Sequence, residues 1–71
     1  MYNFKILVKN KTNDYEFRLN FSSDQNIKAL WKNKETKNQV RNQLLKFFYL
    51  TEEFEILSIH EENFAIFTFL E

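Results

Sequence analysis

Two stretches near the start of the chain alternate apolar and polar residues with a period of two, and this alternation constrains the fold more than any other feature. Tyr2, Phe4, Ile6 and Val8 alternate with Asn3, Lys5 and Lys9, and Tyr15, Phe17, Leu19 and Phe21 alternate with Glu16, Arg18 and Asn20. Successive side chains of a strand point to opposite faces, so each stretch reads as a strand with one buried face. A loop over Asn10 to Asn13 sets Lys9 opposite Asp14, Val8 opposite Tyr15, Ile6 opposite Phe17 and Phe4 opposite Leu19. Every apolar pair then falls on one face, and only Leu7 interrupts the polar one.

After Phe21 the period lengthens to that of a helix. Ser22 and Gln25 stand at capping-box spacing ahead of Ile27, Leu30 and Trp31, and Thr36 and Gln39 repeat that spacing ahead of Val40, Leu44, Phe47 and Phe48. One helix over residues 24–50 would run about 40 Å, against about 23 Å for a seven-residue strand. A break is therefore expected near Asn33 to Glu35, with Asn33 in the left-handed conformation at the first helix's end.

Phe54 to Ile59 and Phe64 to Leu70 read as two further strands around a turn at His60 to Asn63, and both faces of this hairpin are apolar. One face carries Phe54, Ile56, Ala65, Phe67 and Phe69, and the other Leu57, Ile59, Phe64, Ile66 and Leu70. The expected fold class is α+β, in the order ββααββ, with an antiparallel sheet of about four strands and two short helices packed mainly on one face. The 71 residues suffice for one compact domain over 1–71.

Composition removes several functions. The chain has no cysteine, one histidine, no glycine and no proline. A disulfide framework and a thiolate or histidine zinc site are thereby excluded, and so are Gly-rich phosphate loops and nucleotide fingerprints. No cofactor, metal or small-molecule site is indicated. Nine phenylalanines, three tyrosines and Trp31 offer large burial for a short chain, at about 2–3 kcal/mol per ring withdrawn from water. No apolar run reaches a membrane span, and Met1-Tyr2-Asn3-Phe4-Lys5 does not open a signal peptide, so a soluble cytoplasmic protein is expected. The frequent Asn, Lys, Phe and Ile point to an AT-rich genome such as that of a low-GC bacterium, a phage or a mobile element.

The formal net charge is zero, yet it is segregated along the chain. Residues 28–51 carry Lys28, Lys32, Lys34, Lys37, Arg41 and Lys46 against Glu35, and residues 52–71 carry Glu52, Glu53, Glu55, Glu61, Glu62 and Glu71 with no base. His60 beside Glu61 and Glu62 has no recognisable nucleophile or oxyanion donor nearby, so it reads as a turn residue rather than a general base. The glutamates lack the oxygen-ligand spacing of a calcium loop. The basic stretch, Lys28, Lys32, Lys34, Lys37 and Arg41, is a candidate nucleic-acid face, with amide side chains alongside.

The apolar surplus of the C-terminal hairpin points elsewhere. Two short helices cover one face of such a sheet, which leaves Leu57, Ile59, Phe64 and Ile66 as a patch bordered by Glu55, Glu61 and Glu62. These residues mark a non-catalytic protein-interaction module, such as a phage or mobile-element inhibitor or adaptor that binds a host protein or complex, or a homodimer. Nucleic-acid binding by residues 28–46 is the alternative.

Overall fold

A computed structural model describes residues 1–62 of the chain. The elements run β1 (Tyr2–Asn10), β2 (Glu16–Ser23), α1 (Ile27–Lys32), α2 (Lys34–Phe47) and β3 (Phe54–Glu62). The strands form an antiparallel sheet in the order β2-β1-β3, and the class is α+β as expected. The described order is ββααβ with three strands, not the expected ββααββ with four. The residues read as the last strand, including Phe64 and Ile66, lie outside the described residues.

β1 and β2 pair through the apolar face read from their alternation, but two residues out of the expected register. Phe4 faces Phe21, Ile6 faces Leu19, Val8 faces Phe17 and Lys9 faces Glu16. The cause is the place of the turn: the Asn10 N–H donates to Tyr15 O at 2.8 Å, so the loop is Lys11 to Asp14 rather than Asn10 to Asn13. Asn10 Oδ1 accepts the Thr12 N–H at 2.9 Å and Asn13 Oδ1 accepts the Tyr15 N–H at 3.0 Å, while Asp14 takes the left-handed conformation at φ 59°. Short polar side chains of this kind offer the backbone local partners that decide where a turn sits. A shift of two leaves every side chain on its original face, so the core is unaffected.

Both helices begin at an asparagine and not at a serine or threonine. Asn26 caps α1, its Oδ1 accepting the Ala29 N–H at 3.3 Å, so the expected Ser22 and Gln25 box does not form. Asn33 closes α1 and opens α2, its N–H donating to Leu30 O and its Oδ1 accepting the Glu35 N–H at 3.0 Å. The break lies where expected, but Asn33 is extended at φ −91°, ψ 124°, not left-handed. Thr36 falls inside α2 instead of capping it, and its Oγ1–H donates to Leu30 O at 2.6 Å across the corner.

β3 runs straight through His60 and Glu61 to Glu62, so the turn expected to begin at His60 is absent. Its two apolar faces are reconciled by an irregularity in the pairing. Leu7 pairs with Ser58 and Val8 with Ile56, which leaves Leu57 without a partner on β1. This extra residue is a bulge, and it brings Ile56 and Ile59 onto the same face.

Phe4, Ile6, Val8, Ile56 and Ile59 of the sheet meet Ile27, Val40 and Leu44 of the helices, and all eight are buried. Phe17, Leu19, Phe21, Leu30, Trp31, Phe48, Leu50 and Phe54 surround this centre. No polar or charged residue is buried among the described residues. Each Ile or Leu withdrawn in this way contributes about 1.5–3 kcal/mol, which is how a small α+β domain without disulfides is held. Among the described residues, no helix is long and apolar enough to cross a membrane.

Candidate functional site

The expected patch on the last hairpin is only partly present on the described surface. Ile59 is 4% exposed and belongs to the core, because the bulge at Leu57 turns it toward the helices. Leu57 stands out at 38% exposure, with Glu55 and Glu61 exposed on the same strand. Glu62 is half-buried, and its Oε1 lies 3.5 Å from Lys5 Nζ. Phe64 and Ile66 lie outside the described residues.

The polar face of the sheet holds a small hollow of about 230 Å3 lined by Lys5, Leu7, Arg18, His60 and Glu62. His60 pairs with Lys5 across the strands and is exposed. Its neighbours supply both charge signs and no nucleophile. Among the described residues, no three His, Asp or Glu side chains come together as a metal site.

A different apolar surface lies at the end of α2. Phe21 of β2, Phe47 and Phe48 form a three-ring cluster with centroid separations of 5.0, 5.9 and 4.9 Å, all in edge-to-face arrangements. Edge-to-face rings set the positive edge of one against the negative face of another. Phe48 sits partly in the core, whereas Phe47 is 61% exposed. At about 100° per residue, Val40, Leu44, Phe48 and Leu45 span an arc whose middle lies roughly 85° from Phe47. Phe47 thus flanks the buried stripe to which its spacing had assigned it.

The chain then leaves α2 through a tight cap. The Tyr49 N–H donates to Lys46 O at 3.3 Å and the Leu50 N–H to Leu45 O at 2.8 Å. This pattern requires a left-handed residue at the position usually given to glycine, and Tyr49 occupies it at φ 57°. A side chain there costs about 1–2 kcal/mol because its Cβ approaches the following carbonyl. Leu50 packs against the core, so the cap is fastened from inside, while Tyr49 is 93% exposed. Gln43, Lys46, Phe47 and Tyr49 line an open hollow of about 640 Å3.

The sequence contained a signal for this surface. Phe47, Phe48, Tyr49 and Leu50 are consecutive apolar residues, and no helix end can turn four in a row toward one core.

The basic residues lie on α1 and α2, the two helices that meet at Asn33. Lys32, Lys34 and Lys37 are exposed, Lys28 and Arg41 are half-buried, and the Lys37 ammonium stands 4.8 Å over the Trp31 ring. The ion pairs among the described residues, Lys5 with Glu62 and Lys9 with Asp14, use cations of β1 and none of these five. No known protein-family model, curated protein or solved structure matches this chain.

Proposed function

We propose that the chain is a non-catalytic protein-interaction module whose anchor is the aromatic end of α2, Phe47 and Tyr49. The observation that carries this is Tyr49, a large ring kept fully in solvent at a backbone position that favours glycine. Strain of that kind persists where it serves a site, and Tyr ranks among the residues that dominate binding energy when a partner buries them. Phe47 supplies a second exposed ring, already fixed by Phe21 and Phe48, so little side-chain freedom is lost on binding.

The partner is a protein presenting an apolar side chain next to a carboxylate. The apolar group fills the hollow between Phe47 and Tyr49, and the carboxylate meets Lys46, the one charged residue among the described lining. A small protein of this kind acts by occupying a surface, as an inhibitor or adaptor does. Leu57, with Glu55 exposed two residues before it, is a separate, lesser surface on β3.

Selection from a random displayed-peptide library tests the proposal. Enriched peptides are expected to place Leu, Ile or Phe beside Asp or Glu, and to shift the NMR signals of Phe47 and Tyr49. Replacing both rings by serine should weaken binding at least tenfold, which is about 1.4 kcal/mol. Peptides that map to other residues, or that bind the double variant equally, would overturn the assignment. A concentration-dependent dimer mass lost in the double variant would assign the surface to a second copy instead.

A further inference from the structure

Arg41 occupies a half-buried position that the need for a polar solvent face does not explain, and the exposed Lys37 lies in line with it on α2. In steps of about 100°, Lys37 lies within about 20° of both Leu44 and Phe48, and Arg41 lies between Phe48 and Leu45. The stripe of α2 that is core in the helix's second half is cationic in its first. The side of α2 turned to water already has its polar residues in Glu35, Asn38, Gln39, Asn42, Gln43 and Lys46, all exposed.

This cationic half faces α1, where Trp31 lies under the Lys37 ammonium and Arg41 is half-buried. The ring beneath the Lys37 ammonium and the half-burial of Arg41 restrict where the two charged heads can go. Lys28 and Lys32 are spaced i, i+4 along α1, as are Lys37 and Arg41 along α2. Each such like-charge pair costs a helix about 0.2–0.5 kcal/mol. The start of α2 lies at the same corner and adds the partial positive charge of its unpaired N–H groups. Five cations, none ion-paired among the described residues, are thus carried by the two helices that meet at Asn33, with Glu35 the one acidic residue of that stretch.

We propose that this corner is a second binding site, one for the phosphate backbone of a nucleic acid. Lys34, Lys37 and Arg41 rise about 10 Å along α2, which matches about three nucleotides of one strand at about 3.4 Å per phosphate. Asn38 and Asn42, exposed beside them, add neutral donors for phosphate or sugar oxygens. The Trp31 ring is covered by Lys37, so it does not serve as a stacking platform for a base. Recognition is consequently of the backbone and not of sequence. With the whole chain at zero net charge, the attraction is local and is felt within about a Debye length, so the site binds at low salt and releases as salt rises.

The test is fluorescence anisotropy of a labelled 20-base-pair DNA duplex with the intact protein at 50 and 200 mM salt. Phosphate contacts by the five cations give a slope near −4.5 in log K against log salt, a loss of about 500-fold over that range. Lys37→Gln with Arg41→Gln should make the slope shallower by about 2 and weaken binding at 50 mM at least tenfold. Should that pair fail to fold by circular dichroism, Lys28→Gln with Lys32→Gln removes two contacts at the same corner and is expected to do the same. Arg18→Gln, on the far face of the sheet, should leave both numbers unchanged. No binding at 50 mM, a flat salt response, or equal loss from Arg18→Gln would overturn the proposal. So would displacement of the duplex by polyglutamate at equal charge concentration, which would assign the corner to an acidic protein.

Discussion

Replacing Tyr49 by glycine separates what this residue does for the fold from what it does at the surface. The left-handed backbone at φ 57° costs a tyrosine about 1–2 kcal/mol. Glycine removes that cost but gives the unfolded chain more freedom, which returns about 0.5–1 kcal/mol. The ring is 93% exposed, so its loss forfeits almost no burial. The balance is a stabilisation of about 0.5–1 kcal/mol, and for a domain of this size each kcal/mol moves Tm by about 4–8 °C. Thermal and urea unfolding followed by circular dichroism should show a midpoint about 2–8 °C higher in Tyr49→Gly, with an unchanged urea slope. Tyr49→Ala keeps the Cβ and the strain, so it should stay close to the parent protein. If alanine stabilised as much as glycine, the gain would come from removing the ring, and the backbone argument would be refuted. If glycine destabilised the protein by 1 kcal/mol or more, Tyr49 would be making contacts that its exposure denies. The same glycine variant should lose binding of the peptides selected on the parent protein, a gain in stability accompanied by a loss of function.

Other perturbations probe the bulge and the corner. Ile59→Asp puts a charge into a fully apolar core and should abolish the folded state, whereas Leu57→Asp should cost about 1 kcal/mol or less, both read by urea midpoint. Equal effects from the two would mean that Leu57 is not the bulged residue. Asn33→Ala removes the Oδ1 acceptor at the start of α2 and should cost about 1 kcal/mol, with hydrogen exchange quickening first at Glu35.

Much of this fold is visible in the sequence because period-two alternation and helical spacing are strong, local signals. Phe4, Ile6 and Val8 could face only one way, and the break between the helices follows from their lengths. What escaped were features set by single residues. The two Asx turns at Asn10 and Asn13 set the first turn one residue further along and slide the register by two, which alternation alone cannot detect. A bulge reverses the facing of everything beyond it, so Ile59 looked like surface when read in phase with Leu57. The aromatic site is legible only in the run Phe47 to Leu50, because Phe47 keeps the spacing of a core residue and yet flanks the stripe that Leu45 and Phe48 complete. The cations at Lys37 and Arg41 are legible in the sequence, but the seat of Lys37 over Trp31 and the half-burial of Arg41 depend on how α2 packs against α1.

The central position of β1 also orders the assembly of the sheet in time. Val8 meets Phe17 nine positions along the chain, but it meets Ile56 only after 48. Closing the longer loop costs about 1.5 kcal/mol more in chain entropy, so the β1–β2 hairpin precedes the arrival of β3. Until β3 docks, the strand that ends in the middle of the sheet has an open edge with its backbone groups unpaired. At high concentration during refolding, a neighbouring molecule's β3 competes for that edge and yields exchanged dimers, whereas dilution favours the monomer.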